Sequence, residues 1–220
     1  MNPKGRHLKI CLCIVFLCLI WSAVNPDNRT DWVVENLFTL GFIILLGFTY
    51  KKYPLSNLSY TLITIYLILH IIGSHYSYSN VPYLNWVYNF GVSKNSYDKM
   101  VNYSYGLLVA SRNNYDRFVH FSFGLLLSYP IRDMLARYAN IKRSWGNVVT
   151  FAFIGCFCAV WEILEWLSTS VLNPNAATTF IASQGDIWDS QKDMAVALIG
   201  SLISVIGMSF LHKDSDVISG

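Results

Sequence analysis

Between Gln184 and Leu211 the chain reads QGDIWDSQKDMAVALIGSLISVIGMSFL. The second half of this stretch is an apolar run of the kind that crosses a membrane as a helix, which takes about 20 residues. The first half carries Asp186, Asp189 and Asp193, spaced three and four apart. On a helix starting near Asp186 these three carboxylates line one stripe, and Ala197, Gly200, Ser204 and Gly207 continue it. Such a helix is acidic at its mouth and small through the bilayer. It would pack closely on a neighbour while presenting oxygen atoms at one end. Acids in a first helical turn are also favoured by the helix dipole.

The rest of the chain reads the same way. Of its 220 residues, 54% are hydrophobic and only 13% charged, with a mean hydropathy of +0.38. A soluble domain carries roughly 25% charged residues. The net charge is +3 and no basic run is long, so nucleic-acid binding is excluded as a reading. Apolar segments fall near residues 8–24, 32–50, 58–77, 115–136, 146–170 and 191–211. They predict an all-α polytopic membrane protein: a six-helix transmembrane bundle forming one integral domain over 1–220, with the lipid bilayer as its first partner. The segment at 8–24 follows Lys4, Arg6 and Lys9, as a signal peptide would. Trp21 and the lack of a clean small-x-small site near Ser22-Ala23 favour an uncleaved helix. All five cysteines (Cys11, Cys13, Cys18, Cys156 and Cys158) lie in apolar stretches, and Cys156-Phe157-Cys158 is not a CxxC, so buried free thiols are expected.

Lys and Arg in the connecting loops set the orientation. Lys4, Arg6 and Lys9, then Lys51 and Lys52, then Arg132, Arg137, Lys142 and Arg143, then Lys213 alternate so that both termini are expected in the cytoplasm. That side holds ten of the sixteen basic residues but only Asp133, Asp214 and Asp216 of the thirteen acids. The other acids fall on the outer side, several within the apolar segments. The outer loop from about Tyr78 to Asn114 is rich in Tyr, Asn and Ser, and its Tyr83–Tyr88 stretch reads as interfacial. The loop from about Val171 to Ser190 contains Pro174 and Gly185 and no Lys or Arg. Ionisable groups at membrane depth are costly and mark functional sites by default.

The acids converge with histidines at one level. Asp116 and His120 are spaced i, i+4 at the start of the fourth segment and share a helix face, which Gly124 and Ser128 continue with small residues. A carboxylate beside an imidazole orients it and raises its basicity, or both ligate a metal. Glu162 and Glu165 are spaced i, i+3 in the fifth segment. Two carboxylates so close in a low dielectric share a proton or need a cation. His70 and His75 sit at the outer end of the third segment, and Glu35 near that of the second. The catalytic candidates are Asp116, His120, Glu162 and Glu165. The metal-ligating candidates are Asp186, Asp189, Asp193, Glu162, Glu165, His120 and His70. A plainer reading accompanies each. Asp116 with Arg112 or Arg117, and Asp189 with Lys192, are also what interfacial ion pairs look like; Glu35 and His75 suit a membrane interface, and His70 a hydrogen bond within the bundle.

Three strings, Tyr115-Asp116-Arg117-Phe118-Val119-His120-Phe121, Trp161-Glu162-Ile163-Leu164-Glu165-Trp166 and Gln184 to Met194, resemble the YjdF family of bacterial inner-membrane proteins. The resemblance runs from the first segment to the sixth, with His70 to Tyr78 as its third-segment element. It implies a multi-pass protein of the bacterial inner membrane and attaches no reaction to it. A more distant likeness is to VanZ-like membrane proteins, from whose spacing the paired Glu162 and Glu165 depart.

The chemistry reads in three ways. A periplasm-facing carboxylate/His pocket would suit a metal-dependent enzyme acting on a lipid or lipid-linked substrate. Oxygen ligands favour Mg²⁺, Mn²⁺ or Ca²⁺, and added histidines admit Zn²⁺ or Fe²⁺. Neither HExxH nor GxSxG occurs. A non-catalytic membrane binding or sensor protein would use the same pocket. A cation or proton transporter would need a polar path to the other side, and the inner halves of the segments are nearly all apolar.

Overall fold

The structure, a computed structural model, describes residues 3–91, 93, 95–96, 99, 112–139, 141–171 and 184–211. The loop stretches 100–111 and 172–183, with Pro174, and the C-terminal Lys213, Asp214 and Asp216 lie outside the described residues. Among the described residues the elements are seven helices: α1 (Pro3–Ser22), α2 (Arg29–Tyr50), α3 (Asn57–His75), α4 (Tyr83–Asn89), α5 (Tyr115–Tyr138), α6 (Arg143–Val171) and α7 (Asp189–Leu211). Five of them, α1, α2, α3, α6 and α7, are long and apolar enough to cross a membrane. Their outward faces carry large apolar side chains such as Leu17, Ile20, Phe48 and Phe210, all more than 60% exposed, which lipid would cover.

The remaining long helix, α5, has 24 residues, a length of about 36 Å. It carries Asp116, Arg117, Arg132, Asp133 and Arg137 and falls short of a span by composition alone. It packs against α3, α6 and α7, so its polar groups meet protein on several sides instead of lipid. The short α4 sets Trp86 against Tyr76 and Tyr83 against Tyr115.

Local signals place the helix starts. The Asn28 side chain accepts from the backbone N–H groups of Thr30 and Asp31, and Ser56 accepts from that of Ser59. Before α7, Gln184 (φ 49°) and Gly185 (φ 86°) adopt left-handed backbone that no right-handed helix contains. The expectation of a helix starting near Asp186 is corrected by a few residues: α7 begins at Asp189. Asp186 instead forms the turn, its side chain accepting from the Trp188 N–H at 3.1 Å.

The long helices alternate in direction. At one end, His7 bonds Thr61 across α1 and α3, the Ser56 N–H donates to Asp133 of α5, Arg132 donates to Asn147 of α6, and Asn147 donates to Ser209 of α7. At the other, His75 donates from Nδ1 to the Ser22 carbonyl and Trp32 donates to the Ser22 hydroxyl. The first end is rich in Lys and Arg; the second gathers the acids.

Helices α5 and α7 run parallel and close. A Cβ on Gly124 would collide with the Ala197 carbonyl, and one on Gly200 with the Phe121 carbonyl. The Ser128 and Ser201 hydroxyls meet at 2.8 Å in complete burial. The offset of 73 residues in that serine pair is the same for Gly124 and Ala197. Carried up two turns, it sets His120 beside Asp193 and Asp116 beside Asp189. The substitution Gly124→Ala should therefore destabilise the bundle by about 1–3 kcal/mol through overpacking. Gly47→Ala on α2, where a Cβ meets nothing within 4 Å, should not. Thermal unfolding of the two variants in the same detergent checks this.

Candidate functional site

The α5–α7 seam opens at its acid end into a cluster centred on His120. The His120 Nε2 lies 3.6 Å from Asp116 Oδ1 and 3.6 Å from Glu162 Oε1. Its Nδ1 faces the Cys158 thiol at 3.5 Å. Two sets of ligand-type atoms converge here, each within 4.8 Å of one another: His120 with Cys158 and Glu162, and His120 with Asp116 and Asp193. All five residues are buried. Glu162 Oε1 and Asp193 Oδ1 have no hydrogen-bond partner, an expensive state for a buried acceptor.

Two guanidinium groups brace the cluster. Arg112 lies 2.5 Å from Asp189 and 3.7 Å from Asp116. Arg117 lies 2.5 Å from Asp186, 3.5 Å from Asp189 and 3.8 Å from Asp193. Asp189 is thus matched to Arg112, and Lys192 reaches Asp186 instead, at 2.6 Å. The Lys192 ammonium holds the Asp186 carboxyl down at about 2, with the Trp188 N–H and Arg117 adding to it. Gln184 ties the two helix entrances together: its side chain accepts from the Asn113 N–H and donates to the Asn113 carbonyl.

Beside the cluster lies a cavity of about 140 Å³. Asp116, His120 and Cys158 belong to both. Glu35 from α2, His70 from α3 and Glu165 from α6 also line it, with Tyr66, Tyr78 and Trp161. Glu35 is only 4% exposed, and its Oε2 has no hydrogen-bond partner. The nearest cationic candidate, His70 Nε2, stands 3.8 Å away, too far for a hydrogen bond. Glu165 accepts from the Trp161 indole at 2.6 Å. His70 accepts at Nδ1 from the Tyr78 hydroxyl at 2.5 Å and turns Nε2 to the Glu35 carbonyl at 3.4 Å. Its tautomer follows from those partners: with Nδ1 accepting, Nε2 carries the proton.

Of the residues named from the sequence, Asp116, His120, Glu162 and Asp193 come together. Asp189 stands behind them with Arg112, Asp186 sits in the turn with Lys192, and Glu165 and His70 line the cavity. His75 is buried against Ser22. Sequence reasoning took Cys158 only as a buried thiol and passed over Tyr78 and the cavity role of Glu35. Signals existed for two of them: Cys158 precedes Glu162 by four residues, and Glu35 is the lone charge between Asp31 and Lys51.

The fold and site define a helical multi-pass membrane protein with a buried carboxylate/histidine cluster. The family described as "Predicted membrane protein (DUF2238)" matches residues 7–111 and 109–214, and the chain belongs to it. It is similar to the inner membrane protein YjdF of Escherichia coli (strain K12), 30% identical over 204 residues that cover 89% of this chain and 86% of that protein. No solved structure matches. The chain is accordingly a multi-pass protein of the bacterial inner membrane.

Two outcomes follow from the ion pairs. Arg112→Met strands buried carboxylates and should cost about 3–5 kcal/mol, most of it recovered in Arg112→Met/Asp189→Asn; thermal melts of the single and double variants check this. Asp186, with its pKa depressed by folding, contributes stability that is full above the ordinary Asp range and lost as pH falls from about 4 to 2. Lys192→Met should lower the melting temperature at pH 5 and flatten its decline below pH 4.

Proposed function

We propose that the His120 cluster is a divalent metal centre, and that the protein is a membrane-embedded enzyme acting on a lipid or lipid-linked substrate. The observation that carries this is the spacing about His120, whose Nε2 stands 3.6 Å from Glu162 Oε1, of the set with Cys158, and 3.6 Å from Asp116 Oδ1, of the set with Asp193. That is too long for hydrogen bonds. Two donors each about 2.1 Å from a tetrahedral ion stand about 3.4 Å apart, close to what is seen. The bare oxygens of Glu162 and Asp193 point the same way.

Charge balance supports the reading. Asp116, Glu162, Asp189, Asp193, Glu35 and Glu165 gather about the cluster and cavity, facing the guanidinium groups of Arg112 and Arg117. A surplus of carboxylates in a low dielectric calls for protons or a cation. His120, Asp116 and Asp193 would suit Mn²⁺, Fe²⁺ or Zn²⁺, and a Cys158 thiolate would favour Zn²⁺. The ion would polarise a phosphoryl oxygen or activate water. A carboxylate left outside the coordination would take the proton.

In this reading α5 is a sixth span, sheltered by its neighbours, and the acid end faces the periplasm with both termini in the cytoplasm. The alternation of the helices and the Lys and Arg at the opposite end support that orientation. The tight seam of Gly124, Ala197, Ser128 and Ser201 lies directly below the cluster, which favours a pocket open to one side over a transport path.

Elemental analysis of detergent-purified protein after mild chelation tests this. Wild type and Asp133→Asn, altered at the far end, should retain about one divalent ion per chain. Glu162→Gln/Asp193→Asn should retain none while remaining folded. Absence of metal from the wild type, even after resupply, would sink the metal centre.

A further inference from the structure

The cavity beside the cluster has a composition that the metal does not explain. Five aromatic rings line it: Tyr66 from α3, Tyr78 after it, Phe123 from α5, and Phe157 and Trp161 from α6. Three carboxylates, Glu35, Asp116 and Glu165, share the wall with them. No lysine or arginine is among the described lining residues. The rings close about the space at differing angles. Tyr66 meets Phe123 edge-on at 5.5 Å, and Trp161 meets His70 edge-on at 6.2 Å. Trp161 also meets Phe38 of α2 at 4.9 Å, so the ring that walls the cavity is also what bridges α6 to α2 on the lipid side.

We infer that this cavity binds the alkylammonium group of an organic amine or aminolipid. Ring faces attract a desolvated ammonium, and aromatic cages are a recurrent means of holding quaternary ammonium groups. The carboxylates supply the countercharge. Glu35 is 4% exposed and its Oε2 lacks a hydrogen-bond donor, so the lining holds one buried acceptor that a cation would satisfy. The size agrees. A cavity of about 150 Å³ accepts a molecule as large as benzene, and the present one, at about 140 Å³, matches an ethanolamine or choline group. A sugar or a bare inorganic ion would leave the rings without purpose. A phosphate would meet three carboxylates and, beside two imidazoles, no lysine or arginine among the described lining residues.

The structure also invests in one of these rings. Ser77 and Tyr78 take consecutive left-handed backbone conformations, at φ 46° and 53°, which L residues with side chains rarely adopt. Gly73 leaves room for the Tyr78 ring, which any Cβ there would strike. The result delivers the Tyr78 hydroxyl to His70 and its ring to the cavity wall. The inference goes beyond the metal reading and does not require it, because Glu35 and Glu165 belong to neither set of metal-type ligands.

The test is thermal stabilisation of the full chain in a neutral detergent by choline, against 3,3-dimethylbutan-1-ol, its uncharged isostere. Choline should raise the melting temperature saturably, as a ligand of the folded state does, and the isostere should not. Glu165→Gln and Glu35→Gln should each weaken choline by about tenfold or more while keeping the metal content of the wild type. Asp133→Asn should change neither. Should Glu35→Gln fail to fold, Glu165→Gln decides. A second arm compares nanodiscs of phosphatidylethanolamine and phosphatidylglycerol. Stabilisation by choline in detergent supports a free amine as ligand. Stabilisation by the ethanolamine lipid alone supports a lipid headgroup. Equal stabilisation by choline and its isostere, or no response in either arm, overturns the inference. Choline binding by a protein that retains no metal would leave it standing and remove only the metal centre.

Discussion

The close approach of α5 to α7 fixes everything above it. Gly124 beneath the Ala197 carbonyl and Gly200 against the Phe121 carbonyl allow backbone contact, and Ser128 with Ser201 closes the seam. Two parallel helices held this tightly cannot slip by a residue without a collision. The same offset, continued upward, faces His120 with Asp193 and Asp116 with Asp189. Small residues in the middle of the bundle thus determine which ionisable groups meet at its end.

That meeting is electrostatically demanding, and the two arginines make it tolerable. Arg112 and Arg117 enter from the start of α5 and just before it, and reach Asp116, Asp186, Asp189 and Asp193. Each carboxylate on α7 therefore has a guanidinium behind it. The groups in front, Glu162 from α6 and His120 from α5, have none. An asymmetry results: a rear wall faced by guanidinium groups, and a front where Glu162 Oε1 has no hydrogen-bond partner. In a site built only for stability the front would be satisfied too, since an unmet buried acceptor costs more than a pair of apolar side chains in its place.

The helices were legible in the sequence because apolar runs of span length admit little else. The polar α5 was legible by length and spacing, but composition alone does not give it as a span, since its environment is protein. The site was legible in part. The i, i+4 pair Asp116 and His120 does share a face. Glu162 and Glu165, at i, i+3, differ by about 60° around the helix, and that angle is enough to send one to His120 and the other to Trp161 and the cavity. Asp186 was misplaced on the helical stripe because its own side chain closes a turn at Trp188, and α7 starts only at Asp189. The cavity itself was not legible: Glu35, Tyr78 and Cys158 come from three segments, and only packing brings them together.

The two buried histidines of the site show why placement outweighs residue type. His70 and His120 are equally enclosed, at 6% and 9% exposure. His70 is fully occupied, accepting from Tyr78 and turned to the Glu35 carbonyl, and it acts as a strut between α2, α3 and the loop after α3. His120 is underused: a weak thiol contact on one nitrogen, and two carboxylates at non-bonding distance on the other. A strut of the first kind holds Tyr78 and Glu35 steady on one side of the cavity. An imidazole of the second kind is not tied down by such partners. Two imidazoles on the lining of one cavity thus differ in what their neighbours leave them: His70 is held by Tyr78 and the Glu35 carbonyl, and His120 Nε2 keeps two carboxylates beyond hydrogen-bond reach.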